Sequence, residues 1–288
     1  MKILMLFLRW PGGVGEVIRN ISKEFKKIGH EIDVISREDD LKIKSLIPSI
    51  FPIRKKIRNL MKEKKYDIIY TNDWSMAFPL LFPKKMFQKK HLCIFYGNQM
   101  GFTKIFQETI GKIMGDHLIV VGNLNKKKFP KSHVIRNAVN MEKFKPLNKK
   151  RKYLGWNEKK TESLTRKDVL NIGKKIHLPV LIAKNIPPEK MNEFYNKCKV
   201  FLSLPPKASA GALSWMEAMS AGVPKIVGNK ESESYLFPID KIESPSNIEN
   251  SILNAKEKDY RTWLTKNDFS WKTHVNKLEK VFKNNGRV

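Results

Sequence analysis

Cysteine and histidine are too sparse and too scattered to build a cross-linked or metal-bound protein. The 288 residues include only two cysteines, Cys93 and Cys198, and the six histidines show no paired spacing. This pattern excludes a disulfide framework and speaks against a zinc site. Since nothing in the chain calls for an oxidising environment, we expect a cytoplasmic protein.

Long apolar runs are also missing. No stretch approaches the roughly 18 consecutive apolar residues that a membrane-spanning helix needs. The apolar start KILMLFL (2–8) ends at Arg9 and Trp10 without a small-residue cleavage site, so we interpret it as a buried first strand rather than a signal peptide. The expectation is a soluble protein, or one bound peripherally at the cytoplasmic face of the membrane.

Acidic residues are half as frequent as basic ones. Lys and Arg number 56 against 28 Asp and Glu, which gives a formal net charge of +28. Such an excess attracts anions of several kinds, including nucleic acid, acidic lipid headgroups and phosphorylated small molecules, and does not choose between them. With 41% apolar residues the chain can form packed cores, and its length suits about two domains.

Short apolar runs alternate with longer amphipathic ones, and this order is typical of parallel α/β sheets. The first series predicts strands at 2–8, 31–36, 67–72, 91–97 and 117–122, with helices at 17–29 and 53–65. The basic stretch LNKKRK (147–152) suggests a domain boundary. The second series predicts strands at 152–156, 179–184, 199–204 and 224–228, and helices near 165–176, 188–197 and 211–221.

Four segments in order resemble one enzyme family. They are GGVGEVIRNISKEFKKIGHEIDVIS (12–36), HVIRNAVNMEKFKP (133–146), MEAMSAGVPKIV (216–227) and FSWKTHVNKLEKVFK (269–283). Together they are similar to retaining glycosyltransferases of the GT-B architecture, family 4 (glycosyl transferases group 1), of which this chain looks like a short, divergent member.

The resemblance implies two Rossmann-like domains whose parallel sheets face one another across a cleft. Residues 1–147 would form the acceptor domain and 148–270 the donor domain, with the closing helix (271–288) packed back on the first. The implied reaction transfers a sugar from a nucleotide-diphosphate sugar with retention, without a metal or other cofactor. The acceptor would be a glycan or lipid-linked.

Glycines follow the first predicted strand. Gly12, Gly13 and Gly15 allow close backbone approach to a ligand, and the helix start behind them favours an anion. The spacing is not the dinucleotide fingerprint, and a tight strand-to-helix turn explains the glycines equally well. The resemblance places Gly12 and Gly13 near the donor diphosphate.

Glu217 stands among apolar residues on a predicted helix. Because unpaired buried carboxylates are rare, we favour a binding role over a solvated helix glutamate. The resemblance makes Glu217 the residue that holds the donor ribose, and it assigns the pyrophosphate to the helix start at Gly211.

Several positions depart from the family pattern. Ser209 stands for the first glutamate of the two-glutamate donor motif, Tyr96 for a histidine, and Trp156 for an arginine. We predict Ser209 and Tyr96 at the catalytic positions. Lys159 or Lys160 would replace the family's lysine, and Lys184 would add charge for the phosphates.

These departures support a second hypothesis, a non-catalytic relative that serves as a nucleotide-binding or scaffold subunit. A third, nucleic-acid binding, rests on charge alone and lacks a recognisable motif.

The helix at 53–65 also carries a basic face, with the residues Arg54, Lys55, Arg58, Lys62 and Lys65. This face and the stretch 82–90 fit an anionic membrane surface or, equally, a solvated lysine-rich surface.

Overall fold

The computed structural model describes residues 1–10, 12–44, 50–82, 91–96, 103–158, 163–205, 213–229, 236–242 and 247–286. They form two compact units, Met1–Asn137 with Trp271–Val288, and Ala138–Ser270. The division comes earlier than the boundary predicted at 147, because the connecting residues pack with the second unit. Phe144 lies in its core, and Arg261 Nη1 donates to the Phe144 carbonyl at 2.9 Å.

The first unit is a six-stranded sheet with the order β2-β1-β3-β4-β5-β6, parallel throughout. Its strands are β1 (Lys2–Phe7), β2 (Glu31–Ser36), β3 (Ile68–Asn72), β4 (His91–Phe95), β5 (Leu118–Val120) and β6 (His133–Val134). Its helices are α1 (Gly13–Lys27), α2 (Ile50–Glu63), α3 (Trp74–Leu81), α4 (Thr103–Met114) and α5 (Asn123–Lys128), with α11 (Trp271–Gly286) added from the end of the chain.

The second unit is a five-stranded parallel sheet with the order β11-β10-β9-β7-β8. Its strands are β7 (Tyr153–Asn157), β8 (Val180–Ala183), β9 (Cys198–Leu202), β10 (Lys225–Asn229) and β11 (Asp240–Ile242). Its helices are α6 (Arg166–Lys175), α7 (Met191–Lys197), α8 (Leu213–Ser220), α9 (Ile248–Asn254) and α10 (Tyr260–Lys266). The two parallel sheets with their helices confirm the predicted α/β class.

Helix α11 closes the hydrophobic core of the first unit. Phe282 stacks on Phe25 of α1 with ring centroids 5.5 Å apart, and it meets Tyr70 of β3 at 5.4 Å. At the rim, His30 Nε2 lies 3.0 Å from Glu279 Oε1. Residues far apart in the chain therefore share one core, which covers a face of β1 and β3.

Two features of the first unit differ from the sequence patterns. Helix α3 is buried on nearly all sides, so its sequence shows no amphipathic period from which a helix could be predicted. Arg54 does not belong to the exposed basic face of α2: it is buried, and its Nη1 donates to the carbonyls of Pro79 at 2.9 Å and Phe82 at 2.7 Å.

Within the described ranges, no helix has both the length and the apolar character to cross a membrane.

The packing of Phe282 predicts a large loss of stability on truncation. Phe282→Ala removes a fully buried ring and should lower the free energy of unfolding by about 3–5 kcal/mol. Chemical denaturation followed by circular dichroism measures it. Phe51→Ala is the matched control, because Phe51 is 73% exposed and its truncation should change stability by less than about 0.5 kcal/mol. Equal effects of the two substitutions would contradict this account of the core.

Candidate functional site

In each sheet, there is one point at which the chain connections on the two sides run in opposite directions. Open α/β sheets bind ligands at this point, at the carboxyl ends of the strands. In the first unit this point lies between β1 and β3, because β2 is on the other side of β1. In the second unit it lies between β7 and β9, because β8 is on the other side of β7. Residues after these strands are the site candidates.

The glycine turn after β1 has two separate structural causes. Gly12 precedes α1 with φ +101°, a conformation that side chains rarely adopt, and a Cβ there would point into open space. Gly15 lies within the helix, where a Cβ would come within 1.9 Å of the Trp10 carbonyl oxygen. Gly12 and Gly13 are exposed, and no side chain in the described part of the chain caps α1. Among these residues, the first N–H groups of α1 have no side-chain acceptor.

Tyr96 follows β4, and its hydroxyl donates to Asn72 Oδ1 at 2.5 Å. Burial raises the pKa of Tyr96 well above its ordinary value. The phenol therefore stays protonated at neutral pH and cannot take a proton as a histidine would. The side-chain nitrogen of Asn72 is buried and has no hydrogen-bond partner among the described residues.

Asp73 comes directly after Asn72 at the carboxyl end of β3. Its backbone has φ +84°, and its carboxylate accepts from the Trp74 N–H at 2.7 Å at the start of α3. Burial raises the pKa of this carboxyl to about 6, although the cap hydrogen bond and the charge of Arg37 oppose the rise. Strained backbone and a perturbed carboxyl at a strand end are typical of functional positions.

In the second unit, Glu217 lies in the second turn of α8 and is half-buried. Its Oε2 accepts a hydrogen bond from the hydroxyl of Tyr195 on α7 at 2.8 Å, and Tyr195 is fully buried. A buried donor thus sets the position of the carboxylate. Because Glu217 has a protein partner, its apolar surroundings alone do not require a ligand.

Three charged side chains meet where β7 and β8 end. Glu158 follows β7, and its Oε2 lies 3.1 Å from Arg166 Nη2 and 3.8 Å from Lys184 Nζ. Arg166 begins α6. The loop before it is held to the neighbouring strand end, since the Ser163 hydroxyl donates to the Leu204 carbonyl at 3.1 Å. Two cations therefore share one carboxylate oxygen at the carboxyl edge of this sheet.

One predicted departure from the family pattern, Trp156, lies in the core, and three predicted site residues lie outside the described residues. Trp156 points into the hydrophobic core of the second unit, so it places no polar group at the strand end. Ser209, Gly211 and Lys159 lie outside the described residues. Among the residues that are described, no group of His, Cys, Asp or Glu could hold a metal ion.

The patterns in the sequence did not point to Asp73, Tyr195 or Arg166. The pair Asn72-Asp73 directly after an apolar strand is a signal that could have found the first. Tyr195 and Arg166 gave no such signal, because their roles depend on contacts with Glu217 and Glu158. Neither pair has a spacing along the chain that is typical of a known motif.

Comparison with known proteins shows likeness at the level of structure. No family model matches the sequence, and neither does any curated protein sequence. Sucrose-phosphate synthase from Thermosynechococcus elongatus is similar with a TM-score of 0.74 and 11% identity, and 99% of each chain is covered. A glycosyltransferase from Rickettsia africae is similar with a TM-score of 0.70 and 16% identity, covering 99% of this chain and 98% of that one.

A third similar structure is HepE from Anabaena, solved in complex with UDP and glucose. Its TM-score is 0.68 at 12% identity, with 99% of this chain and 100% of that chain covered. The likeness extends over nearly the whole of this chain in all three cases. The chain therefore has the two-domain α/β GT-B architecture, while identities this low show the fold alone.

The raised pKa of Asp73 predicts a pH-dependent effect of Asp73→Asn, which keeps an oxygen for the cap. A carboxyl with a folded pKa near 6 and an unfolded pKa near 4 stabilises the fold at low pH, and this contribution is lost as the pH rises through 6. The stability of the variant relative to wild type should therefore rise between pH 4.5 and 7, by about 2 kcal/mol. Urea unfolding at several pH values measures it.

The matched control is Asp259→Asn, at the start of α10. Asp259 also caps a helix, because its carboxylate accepts a hydrogen bond from the Thr262 N–H at 3.1 Å. Hydrogen bonds from the side chain and the backbone of Thr262 lower the pKa of Asp259. Its stabilising contribution is lost only below about pH 4, so the difference between wild type and this variant should stay flat from pH 4.5 to 7. A flat difference for Asp73→Asn as well would contradict the buried-carboxylate account.

Proposed function

We propose that the protein is a glycosyltransferase that moves a sugar from a nucleotide-diphosphate sugar to an acceptor, with retention at the anomeric carbon. The observation that carries the proposal is the second unit, in which Glu217 is held by Tyr195 while Arg166 and Lys184 meet at the strand ends. The GT-B likeness supports it, since HepE has been solved with UDP and glucose.

Glu217 is the proposed ribose ligand. A carboxylate accepts from two neighbouring hydroxyls in charge-assisted hydrogen bonds, which are stronger than neutral ones. The Tyr195 hydroxyl at 2.8 Å orients the carboxylate before the nucleotide arrives. Such preorganisation lowers the ordering cost of binding.

Lys184 and Arg166 are the proposed diphosphate cations, in place of the charge that Trp156 does not provide. Both now lie against Glu158, so that carboxylate occupies a position that phosphate oxygens would take. Lys159, Gly211, Gly12 and Gly13 stay predictions from the sequence as further diphosphate contacts.

Catalysis at such a site is positioning and charge stabilisation. The cations stabilise the negative charge that develops on the departing diphosphate, and a leaving phosphate oxygen takes the proton of the acceptor hydroxyl. Tyr96, predicted at a catalytic position, does not act as a base, since its phenol stays protonated. Ser209, at the position of the missing glutamate, stays the predicted hydrogen-bonding residue for the sugar.

The alternative is a non-catalytic GT-B relative that binds nucleotides without transferring sugar. One observation favours it: Trp156, at the position of a phosphate-binding arginine, is buried in the core. The acceptor, the membrane surface, the cytoplasmic location and the absence of nucleic acid binding stay predictions from the sequence.

An assay with a panel of UDP-, GDP- and ADP-sugars tests the proposal, with transfer and hydrolysis both measured and the anomer of the product determined. We expect turnover with at least one donor. Binding of no nucleotide would contradict both the enzyme and the binding relative. Binding without transfer would establish the relative.

Glu217→Ala should weaken nucleotide binding about 10- to 100-fold, the equivalent of losing hydrogen bonds to a charged group. Calorimetry with the ribonucleotide and its 2′,3′-dideoxy analogue tests the assignment to ribose. The analogue should bind the wild type weakly and the variant no worse. Glu142→Ala, at an exposed site of the same unit, should leave both affinities unchanged, and a loss of dideoxy binding on Glu217→Ala would count against a ribose contact.

Glu158→Gln should strengthen binding of the nucleoside diphosphate severalfold, because the anion no longer competes with a carboxylate for Arg166 and Lys184. The corresponding nucleoside, which lacks phosphate, should bind both proteins equally in calorimetric titrations. Arg166→Ala should weaken diphosphate binding only. Equal affinity of all three proteins for the diphosphate would remove these residues from the site.

A further inference from the structure

A groove of about 600 Å³ lies on the first unit between α1 and β2, which is the edge strand of the sheet. Its volume falls in the range of small-molecule sites, about 300–1,000 Å³. Because β2 and β3 flank β1 on opposite sides, the groove is separate from Asn72 and Tyr96. We call it the α1 groove; it is lined by Trp10, Arg19, Ser22, Lys23, Lys26, Lys27 and Val34.

The charge of the α1 groove is only partly balanced. Arg19 pairs with Glu16 at 3.3 Å, and Lys27 pairs with Glu24 at 2.6 Å. For Lys23 and Lys26, the described part of the chain offers no acidic side chain within ion-pair distance, and no acidic residue lines the groove. Two unneutralised lysines in a shallow groove raise the local concentration of anions.

One end of the groove is held rigidly. The Trp10 N–H donates to Asp39 Oδ2 at 2.7 Å, and the indole packs edge-on against Phe7 at 4.7 Å. The Arg19 guanidinium lies over this indole, 5.2 Å from the ring centroid. A cation–π contact and an ion pair thus fix Arg19 in place.

We infer that the α1 groove binds a soluble ligand that carries two adjacent phosphate groups. Lys23 and Lys26 are three positions apart on α1, which places their Cβ atoms about 5–6 Å apart on one face. Two flexible ammonium groups can therefore converge on neighbouring phosphates, while Arg19 is fixed one turn away. Phosphate binding here does not depend on the proposed sugar transfer.

The lining of the groove favours a soluble ligand over a bilayer. Residues of α1 line one side of the groove, and Val34 of the edge strand β2 lines the other. Trp10, the aromatic side chain of the lining, is half-buried and does not protrude as a membrane anchor would. Phe51, the most exposed large apolar side chain of the described residues, belongs to α2.

Isothermal titration with inorganic pyrophosphate tests the inference on the whole chain. Lys23→Ala/Lys26→Ala should weaken the binding event in the groove at least tenfold and reduce its dependence on salt concentration. The matched control is Lys167→Ala/Lys174→Ala, which removes two exposed lysines of α6 and should leave the affinity within twofold. Lys184→Ala distinguishes binding of pyrophosphate in the second unit from binding in the groove, because this substitution should leave binding in the groove unchanged.

Three outcomes would overturn the inference. The first is a pyrophosphate affinity that is the same in wild type and Lys23→Ala/Lys26→Ala. The second is an equal loss in the α6 control, which would mean attraction by net charge alone. The third is binding of phosphatidylglycerol vesicles that depends on Lys23 and Lys26 while pyrophosphate does not bind. Nucleotide affinity that depends on Glu217 should persist in the groove variant, so failure here is distinguishable from failure of the proposed transfer.

Discussion

Burial of parallel strands on both faces is the constraint on which the rest of the structure depends. Strands β1, β3 and β4 have nearly every residue buried, so helices must cover both faces of the sheet. The chain meets this need partly with its last helix, since Phe282 of α11 stacks on Phe25 and reaches Tyr70. The first unit is complete only when the end of the chain returns to it.

The same constraint concentrates the chemistry at one edge of each sheet. A strand that is covered on both faces leaves no room for charged side chains along its length, and they occur where it ends. Asp73 follows β3, Glu158 follows β7 and Lys184 follows β8. Local geometry then distinguishes them: Asp73 is buried with a raised pKa, whereas Glu158 faces two cations.

The two proposed anion sites use basic residues in different ways. At the edge of the second sheet, Arg166 and Lys184 are paired with Glu158, so a ligand must compete with an internal carboxylate. In the α1 groove, Lys23 and Lys26 have no such competitor in the lining. A net charge of +28 therefore says little about where an anion binds, because the position of the few acidic residues decides it.

Local sequence patterns predicted nine of the eleven described strands and the α/β class, because apolar runs and amphipathic periods are local: the strand predicted at 31–36 is Glu31–Ser36. The short strands β6 and β11 were not predicted. These patterns did not reveal α3, whose burial on nearly all sides removes the period, or that Arg54 is buried against the end of α3. Three contacts became visible only in the folded chain: Tyr195 holds Glu217, Tyr96 donates to Asn72, and Arg166 joins Lys184 at Glu158. These contacts join separate elements, and residue spacing along the chain carries no information about how helices and strand ends meet in space.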